Sequence, residues 1–199
     1  MLRAAMLLSL AVLAGCALGP QTRAGVVSYD FGLPRAQHSP AARLHQDLIV
    51  AEVSAPAWMD NSRMYYRLAY EDATRPQAYA LSRWVMAPAP LLGRRLRAQI
   101  ARESGAGVFV PADGVRAAYT LRLELEEFSQ VFDAPDRSHA LLRLRASLIR
   151  RHGIVAQQEF DIERAAATPD AAGGVRALIA ASDAAGDKLV DWLAANLRK

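Results

Sequence analysis

The sequence predicts an α+β fold: a mixed or antiparallel sheet with a C-terminal β-meander and two helices packed on one face. Three observations lead there. Between residues 119 and 162, three stretches alternate apolar and polar residues and are separated by turn signals. Two stretches, Leu91 to Ser104 and Val175 to Leu197, carry apolar residues at helical spacing. The elements run strands, helix, strands, helix, instead of the regular alternation that builds a parallel sheet.

Composition sets the bounds. The chain has 199 residues, 52% of them hydrophobic and 22% charged, with a net charge of +4. This is globular composition, with enough chain for one ordinary core and no need for a disulfide or metal staple. A single cysteine excludes an intramolecular disulfide. The small net charge is spread along the chain, so no nucleic-acid partner is expected.

The amino terminus reads as an address. Met1-Leu-Arg3 is a positive start, residues 4 to 14 are apolar except Ser9, and small residues precede the chain's only cysteine in Leu13-Ala14-Gly15-Cys16. The apolar run is shorter than the roughly 20 residues a spanning helix needs. The stretch resembles a bacterial lipobox, which implies cleavage before Cys16 and lipid on its thiol. Residues 1–15 are then a signal peptide, 16–25 a lipidated tether and 26–199 a single domain. Ala17 stands where an acidic residue would hold an enterobacterial lipoprotein at the inner membrane. That points to lipid anchoring in the outer membrane, on its periplasmic face.

The elements follow in order. Val26 to Phe31 is extended, and Pro34 to Pro40 reads as a second tether-like stretch. Leu44 to Val53 is apolar on both faces, as a central strand is. Met64 to Tyr70 is rich in β-formers, Pro76 interrupts the chain, and Gln77 to Leu81 suits a short extended piece. Ala87-Pro-Ala-Pro90 leads into the first helix, where Leu92, Leu96 and Ile100 share a face. Val108 to Val110 is a short strand, and Asp113-Gly114 a turn. Tyr119, Leu121, Leu123 and Leu125 form the dry face of the clearest strand. Its alternation breaks at Glu127-Phe128, predicting a bulge or a bend. Leu142 to Leu148 and Ile154 to Ile162 complete the meander, with His152-Gly153 at the reversal. Ala165 to Gly174, with its double glycine, reads as a loop before the last helix. The expected core includes Tyr66, Trp84, Leu92, Leu96, Tyr119, Leu121, Leu123, Phe128 and Trp192.

Catalytic chemistry finds little support in the sequence. There is no Gly-x-Ser-x-Gly, and the histidines His38, His45, His139 and His152 have no partner at metal-ligand spacing. Glu124, Glu126 and Glu127 are the densest acidic group, but alternation puts Glu124 and Glu126 on a wet strand face. No catalytic residue, cofactor or metal is expected. Two features suit partner binding instead. Trp58-Met59 can form an apolar patch, although such a loop is more often tucked onto a core. Arg94 and Arg95, with Arg97 and Arg102, can meet phosphate headgroups or an acidic partner, although such runs usually only solvate a helix.

Several pieces in order resemble the ABC-type transport auxiliary lipoprotein family, the PqiC-like lipoproteins. They are Tyr29-Asp-Phe-Gly32, Leu48 to Val53 followed by Pro56, and Met64-Tyr-Tyr-Arg67. Tyr79 and Trp84 follow, then Pro88 with Leu91-Leu92, Asp113-Gly114, the strand from Tyr119 to Phe128, and Trp192 in the last helix. The resemblance implies a non-enzymatic outer-membrane component of an MCE/ABC-type intermembrane transport system for phospholipid or other hydrophobic cargo. Its partners would be an MCE-domain protein and the inner-membrane permease and ATPase of the same system, and the docking role extends to a homo-oligomer. The competing expectation is an assembly or activator lipoprotein of another envelope machine, in wall synthesis or as a secretin pilot.

Overall fold

The computed structural model describes residues 25–33, 41–151 and 153–197. Among these, eight strands make one sheet and three α-helices accompany it. The order is β1 (Val27–Tyr29), β2 (Leu48–Val50), β3 (Arg63–Leu68), α1 (Ala69–Asp72), β4 (Ala73–Trp84) and α2 (Pro88–Arg102). There follow β5 (Val108–Phe109), β6 (Tyr119–Ala134), β7 (Arg137–Arg150), β8 (Gly153–Ala165) and α3 (Ala171–Asn196). The chain thus forms the expected α+β fold with a mixed sheet and a C-terminal meander followed by a helix.

The 16-residue β6 organises the sheet. On one side it pairs antiparallel with β7 along nearly its whole length, and β7 pairs antiparallel with β8. Its other side is shared by two parallel strands. β2 meets its beginning, Leu48 opposite Tyr119, and β3 meets its end, Tyr66 opposite Gln130. Beyond β2 lies β5, while β4 and then β1 extend the sheet from β3.

The predicted bulge is present one step earlier than its sequence signal. The β6–β7 register slips between Leu125 and Glu127, leaving Glu126 as the extra residue. Strict period two would turn Glu127 inward and Phe128 outward. The extra residue restores parity, so Phe128 is buried and faces Leu142 across the ladder.

Trp84 lies at the centre of the core, 1% exposed, with Phe31 and Phe128 rings 5.5 Å and 5.7 Å away. Leu92 and Leu96 of α2 are buried with it, as are Tyr119, Leu121 and Leu123 of β6. Tyr66 and Trp192 are only partly buried, against expectation. The Tyr66 hydroxyl donates to Gln77 Oε1 at 3.0 Å, and Trp192 packs edge-on against Phe160.

Several element boundaries differ from those expected: the strand expected over Met64 to Tyr70 ends at Leu68, and Ala69–Asp72 turns into a short helix. β2 is limited to Leu48–Val50, with isolated bridges Leu44–Ser104 and Ser54–Glu124 holding its flanks beside the sheet. β4 is one 12-residue strand that runs through Pro76. Its pairing with β3 ends at Gln77 and its pairing with β1 spans Ser82 to Trp84, so the missing proline N–H removes no ladder bond. The double glycine belongs to α3, not to the loop before it. Asp170 caps the helix, its Oδ1 accepting the Gly173 N–H at 2.7 Å. A Cβ at Gly173 would sit 2.0 Å from the Thr168 carbonyl oxygen, and one at Gly174 2.0 Å from Gln130 Oε1. Glycine lets the helix start pack directly on its own loop and on β6.

α2 and α3 are held together by a polar seam. Asp183, Asp187 and Asp191 recur one turn apart on α3 and meet Arg95, Gln99 and Arg43 respectively. Gly186 faces Gln99 between the two helices, and a Cβ there would lie 2.0 Å from Gln99 Oε1. No helix among the described residues is long and apolar enough to cross a membrane.

Candidate functional site

Cys16, the expected lipidation residue, lies outside the described residues, as do His38 and His152 and the stretch from Pro34 to Pro40. The remaining candidates fall in two places.

Trp58 and Met59 occupy a single 3-10 turn, Ala57–Met59, between β2 and β3. Met59 is 1% exposed, a core residue and not part of a surface patch. The Pro56-led turn drives it inward, as its backbone N–H donates to the Pro56 carbonyl at 2.9 Å. Trp58 is partly buried and fixed by its neighbours. Its carbonyl accepts from Asn61 Nδ2 at 2.7 Å and from the Tyr65 hydroxyl at 3.0 Å. Its ring lies edge-on to Tyr65 at 5.1 Å, with the Arg67 guanidinium 5.7 Å from its centroid. Arg67 in turn donates to Glu127 Oε2 at 2.7 Å, in a pair whose side chains are 17% and 12% exposed. Trp58 therefore belongs to a layer over the post-bulge half of β6. The Arg67–Glu127 pair has no local signature in the sequence, because it depends on which strand lies beside β6 after the bulge.

Arg94 and Arg95 are neighbours on α2 with opposite fates. Arg95 is 9% exposed. Its Nε and Nη2 donate to the two Asp183 carboxylate oxygens at 2.6 Å and 2.9 Å, and its Nη1 to the Phe31 carbonyl at 2.8 Å. A fork that joins α2, α3 and the segment after β1 has little left for a partner. Arg94 remains exposed beside Met86 and lines a cleft of about 290 Å³ with Asp30, Gly32 and Leu91. Of the four partner-binding candidates, Arg94 and part of Trp58 are at the surface, and they are not brought together.

The acidic group on β6 converges on an arginine. Arg145 of β7 lies 3.7 Å from Glu124, 2.6 Å from Glu126 and 3.0 Å from Glu159. His139 Nδ1 is 3.0 Å from Asp133 at the β6–β7 end, and His45 is exposed. The described residues hold no group of three His, Cys, Asp or Glu suited to a metal ion.

A buried polar chain runs between strands and is invisible to pattern reading. The Tyr79 hydroxyl donates to Gln130 Oε1 at 2.9 Å, and Gln130 Nε2 donates to Ser138 Oγ at 2.8 Å. Burial, with Tyr66 and Asp170 nearby, pushes the Tyr79 hydroxyl well above the usual phenol range, so it stays a proton donor. Gln130 is fully buried, and Gly174 closes over it. This chain ties β4, β6, β7 and α3 together.

The described residues thus form a mixed sheet carrying a two-helix layer. The chain belongs to the family of ABC-type transport auxiliary lipoprotein components, which it matches over residues 29–190. Protein XCC0632 from Xanthomonas campestris, of family model DUF330, is similar in structure, with a TM-score of 0.71 at 20% identity over 82% of this chain and 93% of that one. An uncharacterized protein gives a TM-score of 0.63 at 13% identity over 85% and 99%. At such identities the likeness speaks to the fold alone. No curated protein matches the chain.

Proposed function

We propose that this chain is a non-enzymatic outer-membrane lipoprotein of an MCE/ABC-type intermembrane transport system, anchored through Cys16 and facing the periplasm. It docks a periplasm-spanning MCE-domain protein that works with an inner-membrane permease and ATPase. Its cargo class is phospholipid or another hydrophobic molecule. The observation that carries this reading is the family match across 29–190, which spans every element from the end of β1 into the second half of α3. The lipobox-like Leu13-Ala14-Gly15-Cys16 supports the anchor. ATP hydrolysis resides in another subunit, in keeping with a sequence that lacks a phosphate loop.

The test joins localisation to partner capture. The acylated chain is expected in outer-membrane fractions and should co-purify with an MCE-domain protein. Cys16→Ala should leave it unacylated by mass spectrometry, absent from that fraction and unable to restore envelope integrity to a deletion strain. Normal outer-membrane recovery of Cys16→Ala would refute the anchor. Capture of wall-synthesis or secretin components in place of an MCE protein would refute the assignment to transport.

A further inference from the structure

Arg63 and Arg83 stand directly opposite each other in the β3–β4 register. Like charges so placed repel and oppose strand pairing. Arg67, Arg95, Arg143 and Arg145 all meet carboxylates. Among the described residues, Arg63 and Arg83 meet none; Arg83 Nε donates only to Ser28 Oγ, at 3.3 Å. The two line a groove of about 400 Å³ together with Val26, Ser62 and Ser82. Unpaired guanidinium forks and hydroxyls beside a groove are suited to phosphate oxygens.

The surroundings say which phosphate. Val26 and Val27 are each 49% exposed, and Leu81 and Val85, two residues either side of Arg83, are 49% and 53% exposed. Both strands sit at the β1 end of the sheet, far from β8. Val26 also follows Cys16 by ten residues, a reach of about 35 Å at full extension. The tether therefore keeps this edge within about 35 Å of the anchored leaflet. Arginines with exposed aliphatic side chains beside an anchor form an interfacial membrane contact.

We infer that the β1–β4 edge rests on the phospholipid leaflet that carries the chain's own anchor, with Arg63 and Arg83 on headgroup phosphates and Val26, Leu81 and Val85 at the acyl boundary. This rests on the anchored reading given above. The domain is then oriented on the leaflet, with β8 and the meander turned away from it.

The test uses acylated full-length mature protein in vesicles, with an environment-sensitive fluorophore at Val85→Cys or, as a control on the far edge, at Gln157→Cys. Phosphatidylglycerol-containing vesicles should blue-shift the label at position 85 but not at 157, and neutral phosphatidylcholine vesicles should shift neither. Arg63→Gln with Arg83→Gln should weaken the surface-bound state about 30-fold, following from two arginines at an anionic surface. The same double variant should melt no lower than wild type, because it removes a repulsion. Flotation with vesicles but no blue shift at 85, or a shift indifferent to the arginines, would overturn this face alone. Failure to float would overturn the anchor and the face together. Loss of the shift on adding millimolar inorganic phosphate at constant ionic strength would mark a soluble-anion site and overturn the membrane assignment.

Discussion

Arg95→Ala separates a structural arginine from a partner-binding one. The substitution deletes a two-point contact to Asp183 and one bond to the Phe31 carbonyl. Arg95 is 9% exposed and Asp183 26% exposed, so the orphaned carboxylate is only partly hydrated. Breaking a buried pair by removing one partner costs about 3–5 kcal/mol, and the exposure of Asp183 favours the lower end, about 3 kcal/mol. In a chain of this size each kcal/mol moves the melting temperature by about 2–4 °C, so a fall of about 6–12 °C is expected. Arg94→Ala, one residue away but exposed, should stay within about 0.5 kcal/mol. Calorimetry or thermal circular dichroism on both variants reads the difference directly. A double-mutant cycle with Asp183→Asn should give a coupling of about 2 kcal/mol. Equal melting temperatures for Arg95→Ala and Arg94→Ala, with partner capture lost only in the former, would refute the assignment of Arg95 to the helix seam.

Trp84→Ala empties the centre of the core and should destabilise the fold by about 3–5 kcal/mol, read as a lower urea midpoint; an unchanged midpoint would contradict its placement against Phe31 and Phe128. Gly174→Ala should lower the melting temperature by the equivalent of about 1–3 kcal/mol despite alanine's better helix propensity, because its Cβ meets Gln130, and Gln130→Ala should relieve part of that cost. Burial, then the neighbouring Asp183 and Asp191, raise the Asp187 pKa above its ordinary 3.8. The folded state therefore binds the extra proton, and this residue's contribution to stability falls as pH rises from 3.8 through the raised native value. Asp187→Asn should flatten that part of the stability profile; an unchanged slope in urea titrations across the acid range would count against the polar seam.

How far the sequence was legible varies with how local the signal is. β6 and β7 alternate without interruption for long enough that their faces could be assigned, and the bulge left a visible break in that alternation. The leucine stripe of α2 did the same at helical spacing. β4 was obscured by Pro76, which is harmless only because the adjacent ladder ends at Gln77. The start of α3 was obscured by two glycines whose reason is a neighbour far away in sequence, Gln130. Among the candidate contact residues, Arg94 and Arg95 are indistinguishable by type and nearly so by position. Their separation depends on where α3 lies.

By itself the chain determined its strand and helix periodicities, the parity of its longest strand and the lipobox-like address around Cys16, because these depend on residues within a few positions of one another. Only the tertiary structure decided that Arg95 is held by Asp183, and that Arg63 and Arg83 face each other with no counter-charge among the described residues. Those outcomes depend on strand register and on close approach between separate elements of the chain. No local pattern encodes that distance.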